Sequence, residues 1–407
     1  MTDGIVVLKV FLIFIFMVFL LRKKLSIGFV MFIAAFLLGI IFRKSPLALF
    51  ERFFYTIKEP YVIKTLLIVG FITTIGTMLK GRGHLDNMSK YIGCIFPDRR
   101  FAIAVLPAII GLLPMPGGAL FSAPMVEGAS SGLNIPPEEK SFYNFWFRHV
   151  WEYTLPIYPG LILASALIGV AVPTIILKQF PFTFFAILGG ILLLYLIGTK
   201  LEKTKVNKDR LKENIWGLIL SLWPIILILT LIFIFKVDIL YSLGITIVLF
   251  AIFYKFRFGE FLDAFKKGFS INLILLILGI FYFKDLLEVT NSAKSFPNFF
   301  VSLHINNLVI VMVLPFFIGL LTGITHGFVG VTFPVLSSIF TVNGIVNMDY
   351  VALAFLFGFI GVLLSPFHLC LVLTKEYFKA DFAKIYRLLI GPAIFLGITG
   401  FLYIILL

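Results

Sequence analysis

The segment VLPAIIGLLPMPGG, at residues 105–118, is strongly apolar and ends in two prolines and two glycines. A second segment, VLPFFIGLLTGITHG, follows at residues 313–327. Seven of their first nine positions are identical, including Gly111 and Gly319. Proline lacks the N–H that a helix needs, and glycine is unfavourable inside helices. Both segments therefore predict an apolar helix that is interrupted at the same point.

The composition predicts a polytopic helical membrane protein. Of 407 residues, 60% are hydrophobic, 13% are charged and 49 are phenylalanine. Several apolar runs approach the roughly 20 residues that a helix needs to cross a bilayer. The first run has no basic cluster before it and no small-residue cleavage site after it, so we expect it to remain as a helix.

The net charge of +14 and the two cysteines each have a simple interpretation. In membrane proteins, basic residues collect in cytoplasmic loops, so this charge favours a lipid bilayer and not nucleic acid as the partner. Cys94 and Cys370 are far apart and lack metal-ligand spacing. We therefore expect no disulfide, no metal and no cofactor, apart from a coupling ion such as Na⁺.

Apolar runs predict about ten transmembrane helices in two groups of five. The predicted spans cover residues 5–21, 25–42, 61–79, 143–172, 181–198, 215–235, 238–256, 270–289, 350–374 and 386–407.

Two pairs of shorter apolar segments lie outside these spans, within residues 101–131 and 308–340. At about 1.5 Å per residue, each arm reaches only about 20 Å, which is short of a full crossing. We predict two re-entrant hairpins. Two full crossings in place of each hairpin would give the same parity, so counting spans does not distinguish these alternatives.

The matching segments predict an internal duplication. Matching residues of the two copies are 208 positions apart before the tip of the predicted hairpin. Beyond the tip they are 210 positions apart, as in Pro156 and Pro366. We predict a first repeat at 1–198, a polar cytoplasmic linker at 199–214 and a second repeat at 215–407. Five crossings per repeat is an odd number, so the second copy should be inverted. Most Lys and Arg residues fall on one side, which predicts a cell-membrane protein with both termini outside.

An interrupted helix inside a bilayer indicates a cavity, because every unpaired backbone polar group in hydrocarbon costs several kcal/mol. A helix that restarts at the break presents free N–H groups and the positive end of its dipole, which suit an anion. The predicted substrate-binding residues at the two tips are Pro116, Gly117, Gly118, Ser122, Thr322, Gly323, Thr325 and His326.

Each repeat has a second interruption, at residues 155–160 and 364–368. A proline frees a carbonyl one turn back, and freed carbonyls near helix ends coordinate coupling cations in transporters with broken helices. An ordinary proline kink is the alternative for either helix alone. The predicted ion-coupling residues in these interruptions are Tyr158, Pro159, Gly160, Ser365, Pro366 and His368.

Three ionisable residues precede the first of these breaks: Arg148, His149 and Glu152. A charge near the bilayer centre costs at least about 2.5 kcal/mol, so such residues face a cavity or a partner. We predict that Arg148 binds an anionic substrate and that Glu152 and His149 relay protons. The alternative is a structural ion pair between Arg148 and Glu152. Glu127 ends the first hairpin and is expected to cap it.

The sequence resembles the ion transporter superfamily, which includes dicarboxylate, citrate, gluconate and arsenite carriers. It is most similar to an uncharacterised branch, the integral-membrane family numbered four hundred and one among domains of unknown function. The motifs are Gly111-Leu-Leu-Pro-Met-Pro-Gly-Gly118, Phe147-Arg-His-Val-Trp-Glu152 with Tyr158-Pro-Gly160, and Leu364-Ser-Pro-Phe-His-Leu-Cys370.

This resemblance implies two inverted repeats, each with a hairpin and a broken helix, secondary transport of a small anion, and a homodimer. The Ser-Asn-Thr hairpin signature of the dicarboxylate branch is absent from both tips, which leaves the substrate and sodium coupling open.

The leading hypothesis is therefore a secondary active transporter of a small organic or inorganic anion, coupled to H⁺ or Na⁺. Metalloprotease, serine-hydrolase and ATP-binding motifs are absent from the sequence, so we expect no enzyme. The first alternative is an intramembrane enzyme that acts on a lipid-linked or phosphorylated substrate through His149, Glu152 and His326. A passive channel is the second.

Overall fold

The computed structural model describes residues 3–23, 25–82, 99–114, 118–196, 211–292, 295, 298–299 and 302–406. In this part of the chain the protein is almost entirely helical. The helices of the first half are α1 (Asp3–Arg22), α2 (Ile27–Ile41), α3 (Pro46–Lys58), α4 (Pro60–Gly81), α5 (Arg99–Gly111), α6 (Ala119–Ala129), α7 (Pro137–Trp146), α8 (Pro159–Ile168) and α9 (Val172–Leu196).

The second half repeats this helical character. A two-stranded antiparallel hairpin, β1 (Thr341–Val342) and β2 (Ile345–Val346), is the exception. Its helices are α10 (Leu211–Phe233), α11 (Ile239–Phe253), α12 (Phe258–Gly268), α13 (Ile271–Val289), α14 (Asn307–Thr322), α15 (Thr325–Phe340), α16 (Met348–Leu363), α17 (Leu369–Phe378) and α18 (Phe382–Leu406).

The protein is an all-α membrane protein. Among the described residues, six helices are long and apolar enough to cross a bilayer. Large apolar side chains also face outward, such as Leu177, 76% exposed, and Phe253, 77% exposed. Water would not tolerate so much apolar surface, whereas lipid covers it. The helical stretches that meet the length criterion are Asp3–Leu21, Pro60–Gly81, Val172–Leu196, Lys212–Phe233, Phe258–Val289 and Phe382–Leu406. The stretch Phe258–Val289 combines α12 and α13.

Two of the predicted spans are each divided into two helices. In span 143–172, α7 continues into a 3₁₀ turn, Phe147–His149, and α8 starts only at Pro159. In span 350–374, α16 ends at Leu363 and α17 starts at Leu369. The prolines at positions 156 and 366 lie inside the interruptions, as the sequence predicted, because proline cannot donate to a helical ladder.

Each predicted hairpin segment contains two short helices, α5 with α6 and α14 with α15, and the members of each pair pack against each other. The second pair turns at Gly323, which has a φ of +65°, a left-handed conformation that favours glycine. The corresponding turn of the first pair includes residues 115–117, which lie outside the described residues.

The hairpins pack very tightly against the broken helices. Gly319 on α14 lies against the carbonyl of Gly358 on α16, and a β-carbon at Gly319 would clash with that carbonyl. Gly111 at the end of α5 lies in the same way against the carbonyl of Arg148. Backbone-to-backbone contact of this kind requires small residues, and it fixes the position of each break relative to a hairpin.

Two amphipathic helices, α3 and α12, connect the halves of the chain. On α3, Thr56 donates to the Asp285 carboxylate of α13 at 2.5 Å, and Arg52 pairs with the same carboxylate at 3.5 Å. In the other direction, Gly268 at the end of α12 packs against Thr74 of α4. Each amphipathic helix thus packs on a long helix of the other half.

Candidate functional site

A cavity of about 320 Å³ lies between the two broken helices and the second hairpin. Its walls come from both halves of the chain, and they combine charged, polar and thiol side chains with helix termini. The lining residues are Pro114, Arg148, His149, Glu152, Tyr158, Pro159, Gly160, Gly323, Ile324, Thr325, His326, His368, Leu369 and Cys370.

Three helices begin at this cavity. They are α8 at Pro159, α15 at Thr325 and α17 at Leu369, and their first residues are all part of the wall. The residues before them have extended backbones, and the N-cap side chains accept no hydrogen bond from these helices. The first N–H groups of an α-helix have no partner within the helix. The cavity therefore lies at the positive ends of three helix dipoles.

Arg148 lies beside the end of the first hairpin arm. It is 4% exposed, and its Nη1 donates to the carbonyl of Ile110 at 3.1 Å. The hydroxyl of Tyr158 donates to the next carbonyl, that of Gly111. These two side chains satisfy the last carbonyls of α5, which have no partner within the helix. The guanidinium also packs against Gly118, where an added β-carbon would collide with it.

The second break uses a smaller side chain for the same purpose. The hydroxyl of Ser365 donates to the carbonyl of Leu320, near the end of α14, at 2.6 Å. The same oxygen accepts from the backbone N–H of Phe367 at 3.2 Å. Ser365 thus holds the interrupted chain against the hairpin without placing a charge in the cavity.

Glu152 and Thr325 join the halves across the cavity. The hydroxyl of Thr325 donates to the Glu152 carboxylate at 3.0 Å, and both side chains are buried. The partner of Glu152 is therefore a neutral hydroxyl at the start of α15. A carboxyl group held in this way can take up a proton without breaking the hydrogen bond, because its oxygen remains an acceptor.

Two histidines and a cysteine meet on another part of the wall. The Nε2 atoms of His149 and His368 are 3.1 Å apart. One ligand atom from each of these residues and the Sγ atom of Cys370 all lie within 4.8 Å of one another. All three side chains are buried. Nitrogen and sulfur donors so close together are a typical ligand set for a transition metal.

The structure brings most of the predicted residues of the broken helices and of the second hairpin together. Those that line the cavity are Arg148, His149, Glu152, Tyr158, Pro159, Gly160, Gly323, Thr325, His326 and His368.

The other predicted residues that the structure describes are not in the wall. Ser122 is buried and donates to the carbonyl of Ala119 at 3.4 Å, and Gly118 lies behind Arg148. Thr322, Ser365 and Pro366 flank the cavity without lining it. Pro116 and Gly117 lie outside the described residues. Glu127 forms an exposed ion pair with Lys140 at 3.1 Å.

The chain as a whole matches one family model, over residues 5–407. The chain belongs to the DUF401 family, a family of proteins of unknown function. No curated protein matches the chain. The match covers both hairpins and both broken helices of this DUF401 protein.

Four residues of the cavity wall were missed by the sequence analysis: Pro114, Ile324, Leu369 and Cys370. Cys370 follows His368 by two positions, but it is more than 200 positions from His149. A search for short metal-ligand spacings cannot find such a set. The internal duplication could have identified Cys370 as a site residue. Cys370 lies 210 residues after Gly160, which was already predicted at the first break.

Proposed function

We propose that this protein is a secondary active transporter of a small, carboxylate-like anion, coupled to H⁺ or Na⁺. One observation carries the proposal. In the part of the chain that the structure describes, three helix N-termini and Arg148 line a single cavity inside a membrane protein. Broken helices whose ends surround a site within the membrane are a recurrent feature of secondary transporters. Symport and antiport both agree with this arrangement.

The electrostatics of the cavity favour an anion. Each helix N-terminus is equivalent to about half a positive charge, and α8, α15 and α17 all begin at the wall. Arg148 adds a full charge and can form paired hydrogen bonds with a carboxylate or phosphate group. A volume of about 320 Å³ suits a small molecule, since ligand pockets range from about 300 to 1,000 Å³.

Glu152 is the proposed coupling residue. Its carboxyl group shares the cavity with Arg148, so an anionic substrate and an ionised Glu152 would compete for the same positive charge. Protonation of Glu152 would remove this competition, and the proton and the anion would then bind together. Sodium coupling is the other form of the proposal, in which Na⁺ would bind carbonyl oxygens freed at the breaks.

We further propose that the halves are inverted repeats, as in the ion transporter superfamily. Two equivalent contacts support this. Gly111 packs against the carbonyl of Arg148, and Gly319 packs against the carbonyl of Gly358. These pairs correspond under the offsets of 208 and 210 residues. With this topology the linker 199–214 is cytoplasmic, both termini are outside, and the hairpins move relative to the rest of the protein to alternate access.

The proposal is tested first by ligand binding and then by transport. Purified protein is screened for thermal stabilisation by small carboxylates, phosphate, sulfate and arsenite, with and without sodium, because a ligand that binds the folded state raises its melting temperature. The stabilising anion is then supplied to proteoliposomes under an imposed pH or sodium gradient. Accumulation that requires one of these gradients supports the proposal. Uptake that is independent of both gradients, or chemical conversion of the anion, contradicts it.

A further inference from the structure

His149, His368 and Cys370 form a cluster of metal-ligand atoms, which anion transport does not require. We propose that these three side chains bind a borderline-soft divalent metal ion, represented by Zn²⁺, at the wall of the cavity. The proposal goes beyond transport and does not depend on it, because the ligands are defined by their own geometry.

The distances agree with a zinc site. Zn²⁺ binds histidine nitrogen at about 2.0–2.1 Å and cysteine sulfur at about 2.3 Å, usually with tetrahedral geometry. Two nitrogens on such an ion are therefore about 3.3 Å apart, and a nitrogen and a sulfur about 3.6 Å apart. The two Nε2 atoms are already 3.1 Å apart. All three ligand atoms lie within 4.8 Å of one another, so no separation exceeds the tetrahedral nitrogen–sulfur value by more than about 1.2 Å.

The orientation of His149 agrees with a ligand role. Its Nδ1 atom lies 2.6 Å from the carbonyl of Phe145, one helical turn earlier. An imidazole that donates from Nδ1 to a carbonyl keeps the lone pair of Nε2 free, and metal-binding histidines are commonly held in this way. The Nε2 atom lies 3.1 Å from Nε2 of His368, so its lone pair points toward the second candidate ligand.

Ligand type and burial indicate which ions would bind. Sulfur and imidazole donors favour Zn²⁺ and similar ions over Mg²⁺ or Ca²⁺, which prefer oxygen. The side chains of His149, His368 and Cys370 are at most 8% exposed, so few waters compete for the ion. One thiolate and two neutral imidazoles leave Zn²⁺ with a net charge of +1. Because the described residues of the cluster supply three protein ligands, a fourth position would open toward the cavity and would attract an anion.

Metal binding is measured directly by competition with a chromophoric zinc chelator, using purified full-length protein. We expect one Zn²⁺ per chain, and at least about tenfold weaker binding in Cys370→Ser and His368→Gln. Matched controls are Cys94→Ser, which removes the other cysteine of the sequence, and His304→Gln, which changes an exposed histidine. The proposal would be overturned if Cys370→Ser or His368→Gln bound Zn²⁺ with wild-type affinity. It would also be overturned if the wild-type protein neither contained Zn²⁺ after purification nor bound added Zn²⁺.

A second measurement leaves the three ligands intact. In Cys94→Ser, Cys370 is the single thiol of the chain, so its reaction with a maleimide can be followed alone. We expect Zn²⁺ to slow this reaction at least tenfold and Mg²⁺ to leave it unchanged. If Zn²⁺ has no effect, the cluster is only an imidazole–imidazole hydrogen bond beside a thiol. Neither readout requires transport, so failure of this proposal and failure of the transporter proposal give different results.

Discussion

The two halves of the chain contribute similar backbones but different chemistry to the cavity. Each half ends a hairpin helix against a broken helix, through Gly111 and Gly319. At the cavity wall, however, the residues 210 positions apart differ in type. Arg148, His149 and Glu152 of the first half correspond to Gly358, Phe359 and Val362 of the second half. Tyr158 and Gly160 of the first break correspond to His368 and Cys370, two of the proposed metal ligands.

This difference separates the requirements of the scaffold from those of the site. The scaffold needs small residues where helices touch and a donor for the carbonyls at each helix end, and both halves provide them. The arginine and the glutamate of the described cavity wall have no counterpart in the second half, where the matching positions are Gly358 and Val362. The first half therefore supplies Arg148 and Glu152, while the second supplies hydroxyl, imidazole and thiol groups.

The largest effect is expected from Gly118→Val. The added side chain collides with the guanidinium of Arg148, so the anion should lose this positive charge. We expect uptake to fall to background in proteoliposomes, while the protein still elutes as a single folded species. Gly128→Val, on the same helix α6, is the control because a side chain there meets open space. Normal uptake by Gly118→Val would mean that the first tip is only a turn.

A smaller but still large effect is expected from Arg148→Gln. Hydrogen bonds to charged groups contribute about 1.5–3 kcal/mol, so the KM for the anion should rise about ten- to a hundredfold. Arg148→Lys retains the charge without the planar guanidinium and should have an intermediate KM. The exposed Arg387→Gln serves as the control. An unchanged KM in Arg148→Gln would assign Arg148 a purely structural role at the end of α5.

Glu152→Gln tests the coupling and not the affinity. Glutamine can still accept the hydrogen bond from Thr325, so the fold should be retained. The variant cannot exchange a proton, and we expect the uptake rate to become independent of pH, with anion exchange preserved. Glu127→Gln, which removes only an exposed ion pair with Lys140, should keep the wild-type pH profile. A wild-type profile in Glu152→Gln would exclude this carboxyl as the coupling group.

The smallest effects compare the two breaks directly. Tyr158→Phe leaves the carbonyl of Gly111 without its donor, and Ser365→Ala does the same at Leu320. An unsatisfied buried acceptor costs about 1–3 kcal/mol, so both variants should lower the melting temperature by similar amounts. The exposed Tyr241→Phe should leave it unchanged. A large loss in one variant alone would show that the two breaks are held differently.

The positions of the breaks were predictable because each break contains a proline, Pro156 or Pro366, which lacks a backbone donor. Proline alone does not end a helix in this protein, since Pro107 and Pro315 lie inside α5 and α14. Contacts between distant parts of the chain were not predictable. Arg148 binds the end of α5 in addition to lining the cavity, and Cys370 lies beside His149 only because the two halves pack together.

Accessibility at Leu369 shows directly whether the cavity opens in turn to each side of the membrane. This residue lines the cavity, and Leu369→Cys in a Cys94→Ser, Cys370→Ala background provides a single thiol. We expect a membrane-impermeant maleimide to react with it from both faces in oriented vesicles, and the transported anion to slow both reactions. Reaction from one face only, whatever gradient is imposed, would rule out alternating access.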